Sequence, residues 1–124
     1  MKPAALFLLT AISILSLSTP VFADECVMPE QPSPPPSGAK ATQEEMVSAM
    51  RASRQFDAAV KVYQTCIDAE TEKMIAQLGD KASETDINRV RERQNNKVRD
   101  AGAAAVKAAD AFNVELRAFK AKSK

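Results

Sequence analysis

From Thr42 onward, apolar residues recur at alternating steps of three and four, the spacing of one face of an α-helix. These positions are Met46, Ala49 or Met50, Phe56, Val60, Tyr63, Ile67, Met74 and Leu78. Thr42 and Glu45 have the spacing of a capping box, and Gly79 with Asp80 suits a helix end followed by a turn. The pattern predicts one helix over 43–78, about 36 residues and about 54 Å long.

A second apolar pattern of the same period follows this turn. Its positions are Ile87, Val90, Gln94, Val98, Ala101, Ala105, Ala108, Phe112, Leu116 and Phe119. Ser83 or Thr85 can cap the start of this helix, and its last turn carries lysines, which the helix dipole favours there. We expect a helix over 86–121, and therefore an all-α fold in which residues 42–124 form an antiparallel two-helix hairpin.

The first 23 residues have the three parts of a secretory signal peptide. Lys2 gives a positive start, Ala4 to Leu17 is an uncharged apolar run, and Val21-Phe22-Ala23 fits a cleavage site before Asp24. A membrane anchor is the alternative, but the run is shorter than the ~20 residues that span a bilayer. The pattern predicts a periplasmic or secreted product with no membrane span after cleavage.

Cys26 and Cys66 are the two cysteines of the chain, 40 positions apart. In an oxidising compartment an even pair indicates a structural disulfide, whereas a redox-active pair would favour C-x-x-C spacing. We therefore predict a Cys26–Cys66 disulfide that stabilises the fold by about 4 kcal/mol.

Residues 24–41 form a proline-rich stretch ahead of the helices, with five prolines between positions 29 and 36. This density predicts an extended polyproline II segment. Such a segment spans about 50 Å, and Cys66 lies about 35 Å along the first helix, so the segment can reverse around Ser37-Gly38 and run back along the hairpin to reach it. We expect a strap packed on the helices, with a free linker as the alternative. The candidate strap-packing residues are Phe56, Tyr63, Asn95, Gly102 and Asn113.

The second helix supplies the polar candidates among these residues. A polyproline II segment has free carbonyl groups, which need hydrogen-bond donors where they are buried. Asn95 and Asn113 lie five helical turns apart with Gly102 near the line between them. We expect the two amides to donate to the strap and Gly102 to lie beneath or beside it. For each residue alone, an ordinary surface position is the alternative.

Composition excludes several classes of catalytic and binding site. The chain has no His, no Trp and three glycines, which excludes Ser–His–Asp triads, His-ligated zinc and glycine-rich phosphate loops. Lys2 is the single charged residue of the first 23, so the mature chain has 16 basic residues of the total 17 against 16 acidic residues. A neutral protein argues against a dedicated polyanion binder.

Two residue clusters have alternative interpretations. The basic residues from Arg89 to Arg99 lack interleaved aromatics and are flanked by acidic residues, which favours a solvated helix face over a nucleic-acid site. Whether they contact anionic lipid stays open. The methionines and two cysteines suggest copper, but disulfide-bonded cysteines are not thiolate ligands. We expect no metal, no cofactor, no nucleic-acid partner and no catalytic residue.

Several segments resemble a small family of exported bacterial helical proteins with a proline-rich N-terminus. The resemblance lies in the run from Ser37 to Met46, in Phe56, Tyr63 and Cys66, in Arg93-Gln94-Asn95 with Val98, and in Ala111-Phe112-Asn113 with Leu116 to Lys120. It covers most of the mature chain. It implies an exported helical protein and carries no activity, substrate or catalytic residue.

Two functions fit the sequence. The first is an exported, non-enzymatic structural or protein-interaction factor of the bacterial envelope, acting on a protein partner through a helical surface. The alternative is a periplasmic chaperone or stress-response holdase, which needs an open apolar concavity and usually oligomerises. Strong fluorescence of a hydrophobic dye would favour the chaperone. The sequence specifies neither the partner nor the oligomeric state.

Overall fold

The computed structural model describes residues 25–123, and the predicted signal peptide lies outside the described residues. Helix α1 spans Gln43–Leu78 and helix α2 spans Glu84–Lys122. The two pack against each other along their length, and residues 25–123 contain no strand. The predicted all-α antiparallel hairpin is confirmed, with α2 beginning two residues earlier and ending one residue later than the apolar pattern indicated.

Both helices begin with a capping box. At α1, the Thr42 hydroxyl accepts a hydrogen bond from the Glu45 N–H at 3.2 Å, and the Glu45 carboxylate accepts one from the Thr42 N–H at 2.7 Å. Ser83 and Asp86 make the same reciprocal pair at α2. Gly79, at φ +74°, ends α1 with a backbone conformation that favours glycine. Local chemistry therefore sets three of the four helix ends.

The hydrogen bonds of the caps lower the pKa of both capping carboxyls. For Asp86 the main cause is the Ser83 hydroxyl, and for Glu45 it is the Thr42 backbone N–H. Because these pKa values are lowered on folding, the caps stabilise the protein above the ordinary carboxyl range and lose that effect as the pH falls.

We therefore expect the free energy of unfolding to decline as the pH falls through about 4. Urea unfolding of the wild type and of Asp86→Asn, measured between about pH 3 and 7, checks this. The variant should be less stable than the wild type at neutral pH, and the gap should narrow in acid. A gap that is constant with pH would show that the Asp86 charge has no part in the cap.

The core lies along the seam between the helices. Its buried cluster comprises Phe56, Val60, Tyr63, Ile67 and Ala101. Four of these residues come from α1, and α2 adds mainly alanines, which allow the helices to approach closely. Cys26 of the proline-rich segment packs against the same cluster. The core is therefore small, most of its buried residues come from α1, and the N-terminal segment adds Cys26 to it.

One polar side chain interrupts the seam nearer the turn. Gln94 is 1% exposed, and its Nε2 donates to the Glu70 carboxylate at 2.8 Å. Lys97 lies 3.7 Å from the same carboxylate. Among residues 25–123, the Gln94 Oε1 atom has no hydrogen-bond partner. These residues cross-link the two helices about one turn beyond Cys66, on the side toward the hairpin turn.

Candidate functional site

The disulfide joins Cys26, at the start of the described chain, to Cys66, in the middle of α1. The two Cα atoms lie 5.8 Å apart and both residues are half-buried. Residues 25–123 contain no free cysteine. The predicted disulfide is confirmed, and it brings Cys26 to the hairpin about six helical turns from the first residue of α1.

Residues 26–41, here called the proline strap, run antiparallel to α1 from Cys66 back to the N-cap. Pro29 and Pro32 border the same cleft as Ala52, Phe56 and Ala59 of α1. The next prolines, through position 36, lie along the preceding turns of α1, from 45 to 52. The strap thus forms a third element of the fold, seated in one of the two grooves of the hairpin.

Burial along the proline strap repeats every three residues. Cys26, Pro29, Pro32 and Pro35 are half-buried, and Gly38 and Ala41 are buried. Among the positions between them, Pro36 alone is half-buried and all others are exposed. A period of three is that of the polyproline II helix, so a single face of the strap meets the hairpin. The inward set is Cys26, Pro29, Pro32, Pro35, Gly38 and Ala41.

The strap turns toward α1 at residues 37–41, here called the elbow, which is held on the end of α2. The Gly38 N–H donates to the Glu115 carboxylate at 2.7 Å, and Lys122 donates to the Ala41 carbonyl. A Cβ at Gly38 would overlap the Glu115 carbonyl and lie 2.8 Å from the Phe119 nitrogen. Glycine is therefore required here because the two backbones touch. The reversal was predicted around Ser37-Gly38 and lies there, whereas its attachment to α2 was not predicted.

The structure brings two of the predicted strap-packing residues to the strap. Phe56 is 4% exposed and shares a cleft with Pro29 and Pro32. Tyr63 is buried in the core cluster against which Cys26 packs. Both side chains belong to the helical seam as well, so they join the strap to the core.

The other three predicted strap-packing residues lie elsewhere. Asn95 and Asn113 are exposed, and neither makes a hydrogen bond to the described strap. A Cβ at Gly102 would meet Gln64 Nε2 of α1 at 3.4 Å, not the strap. The prediction was wrong about the side of α2: Gly102 precedes Ala111, which borders the strap, by nine residues, or half a turn in angle.

Two further cavities adjoin the strap. One of about 270 Å³ separates strap residues 31–35 from the end of α2, and Ala108, Ala111 and Phe112 are part of its lining. The other, about 370 Å³, opens beside the disulfide and is bordered by Glu70 and Lys73. Among residues 25–123, no group of three or more Cys, Asp or Glu side chains is placed to hold a metal ion. The site is thus an apolar groove filled by proline rings.

The inward and outward prolines give a matched pair of substitutions. Pro32→Ala and Pro34→Ala each remove one ring and loosen the unfolded chain similarly, but the Pro32 ring is half-buried and the Pro34 ring is exposed. We expect Pro32→Ala to lower the free energy of unfolding by about 1 kcal/mol more than Pro34→Ala. Urea titration of both variants measures the difference, and equal losses would contradict the orientation of the strap.

No family model, curated protein or solved structure matches the chain. The resemblance to exported bacterial helical proteins therefore remains a prediction. None of the described helices is long and apolar enough to cross a membrane.

Proposed function

We propose that this protein is an exported, non-enzymatic interaction factor of the bacterial envelope that presents a rigid helical surface to a protein partner. The observation that carries the proposal is the disulfide between Cys26 and Cys66, which fixes the proline strap over the apolar groove. Structural disulfides persist in oxidising compartments, which agrees with the signal-peptide pattern of residues 1–23.

The strap supports an interaction factor over a holdase. A holdase needs an accessible apolar concavity for its clients, whereas here proline rings cover Phe56 and its alanine neighbours. The strongly exposed large apolar side chains of the helices are three valines: Val62 lies on α1, and Val106 and Val114 lie on α2 with exposed Asp110 between them. Singly scattered apolar side chains are normal on a soluble surface and fit a specific contact better than promiscuous binding.

A photo-crosslinking amino acid at Val106, which is 61% exposed, tests the proposal in the native cell. The matched control carries it at Glu92, an exposed residue on the same helix. After fractionation we expect the protein outside the cytoplasm, with its disulfide formed, and a discrete crosslinked product from position 106. A continuous smear of products would favour the holdase, and a cytoplasmic, reduced protein would overturn the proposal.

A further inference from the structure

Residues 27–36 of the proline strap are held on the hairpin by side-chain packing and by the adjoining Cys26–Cys66 disulfide. Among the described residues, none from 27 to 36 takes part in a hydrogen bond. Its inward prolines contact the helices and not one another, since they lie on successive turns of an extended segment. Every stabilising contact of this segment is therefore with the groove. Any chain that carries the same residues at the same spacing makes the same contacts.

The elbow is the connection that decides which groove a strap enters. It is a short turn in which the Ser37 carbonyl accepts hydrogen bonds from the N–H groups of Lys40, at 3.0 Å, and Ala41, at 2.8 Å. Two further hydrogen bonds hold this turn on α2, from the Gly38 N–H to Glu115 and from Lys122 to the Ala41 carbonyl, and an exchanged strap gives these up. An extended elbow would direct residues 27–36 away from their own α1. Exchange of an identical element between two copies conserves the native contacts, and such exchange occurs at short hinges of this kind.

We propose that the groove also accepts the proline strap of a second copy of this chain, and that the disulfide fixes whichever partner is present when it forms. The occupant is a second copy because this strap has the inward residues that fit the groove: a cysteine, then prolines at every third position. Reciprocal exchange satisfies both grooves and both cysteine pairs, so the assembly closes as a two-fold dimer. This inference goes beyond the proposed function and does not depend on it.

The covalent step is ordinary thiol–disulfide exchange. In a glutathione buffer, the Cys66 thiolate attacks oxidised glutathione and releases one glutathione thiolate, which leaves a mixed disulfide on Cys66. The Cys26 thiolate then attacks the Cys66 sulfur and releases the second glutathione. Formation of each protein disulfide thus transfers two electrons from the two cysteine thiols to one oxidised glutathione, which becomes two glutathione thiols. The step is the same whether Cys26 belongs to the same copy or to the other.

The protein concentration during oxidation determines whether the disulfide forms within one chain or between two copies. Attachment within one chain gives its own strap an effective concentration on the order of millimolar. We expect the disulfide within one chain to dominate when reduced wild-type protein is oxidised at about 1 µM, and a disulfide-linked dimer to accumulate at about 1 mM. A protein that remains monomeric after oxidation at both concentrations would overturn the proposal.

Two single-cysteine variants isolate the exchanged form. Cys26→Ser keeps the groove cysteine and Cys66→Ser keeps the strap cysteine, so the native pairing is possible only between unlike copies. Mixed in equal amounts at about 1 mM in a glutathione buffer, they should raise the ratio of heterodimer to the two homodimers together from about 1, the value for random pairing of the two thiols, to at least about 10. Intact mass under non-reducing conditions counts the three dimers, and circular dichroism verifies that both variants are helical. A random distribution would contradict the proposal.

The orientation of the strap supplies the matched control. In the Cys66→Ser copy, Pro32→Ala removes an inward ring and Pro34→Ala removes an outward one. We expect the first change to lower the ratio of heterodimer to homodimers about fivefold and the second to leave it unchanged. Equal ratios from the two would mean that the heterodimer forms without occupying the groove, which would overturn the proposal.

Discussion

Replacing Gly38 with alanine is expected to lower the free energy of unfolding by about 2 to 3 kcal/mol. The new Cβ would overlap the Glu115 carbonyl and stand 2.8 Å from the Phe119 nitrogen, and both are backbone atoms of α2 that cannot rotate away. The elbow must therefore leave α2. That movement breaks the hydrogen bond from the Gly38 N–H to the Glu115 carboxylate and the contact between Lys122 and Ala41.

Gly102→Ala is the matched control for this change. Gly102 lies inside α2, where a Cβ meets only the flexible end of the Gln64 side chain at 3.4 Å. Alanine has the higher helix propensity, so this variant should gain about 0.5 to 1 kcal/mol. Urea unfolding of both variants measures the contrast. If Gly38→Ala left the free energy of unfolding unchanged, the elbow would not be seated on α2. If Gly102→Ala were strongly destabilising, the strap would lie in the other groove, over Gly102.

Loss of the disulfide is expected to have the largest effect on stability. Cys66→Ser should lower the free energy of unfolding by about 4 kcal/mol, because the bond closes a sequence separation of 40 residues in the unfolded chain. The small core between the two helices gives the fold little stability beyond that of the disulfide, since α2 contributes mainly alanines to this core. The loss should therefore appear as a large fall in the midpoint of thermal or urea unfolding.

Two comparisons verify that this loss comes from the bond. Cys26→Ser removes the same bond from the strap side and should match Cys66→Ser, although the two side chains have different surroundings. Reduced wild-type protein should match both. A reduced wild type as stable as the oxidised one would contradict the structural role of the disulfide.

The helical period located the hairpin in the sequence because the same period determines its core. Phe56, Val60 and Ile67 were predicted to share one face of α1, and they are buried together. The first cap was predicted in full from Thr42 and Glu45. At α2, Ser83 was one of two candidates, because Asp86 in place of the usual Glu or Gln weakened the signature of the capping box.

The strap was predicted from reach, but the prediction placed it on the wrong side of α2. Chain length and the disulfide require the segment to run along α1, and half-buried Pro32 and Pro35 agree with that route. Both sides of the seam allow the same reach, so the choice depends on contacts that spacing does not specify. The contacts that fix the side are two hydrogen bonds, one from the Gly38 N–H to the Glu115 carboxylate and one from Lys122 to the Ala41 carbonyl.

The three-residue repeat was the signal that sequence reasoning overlooked. Read from Cys26, every third residue is cysteine, proline, proline, proline, glycine and alanine, and these six positions face the hairpin. The number of prolines alone does not show this spacing, because Pro34 and Pro36 fall between the inward positions. The three-residue period of the sequence marks both the inward prolines and the inward residues of the elbow, Gly38 and Ala41.

The most direct test of the strapped hairpin is NMR relaxation of the backbone amides of Glu30, Gln31 and Ser33, the exposed positions between the inward prolines. In the oxidised protein, a strap held on the groove predicts order parameters close to those of the helices, about 0.8 to 0.85. Order parameters below about 0.6 at these three amides, with rigid helices, would contradict the account and make the segment a tethered linker.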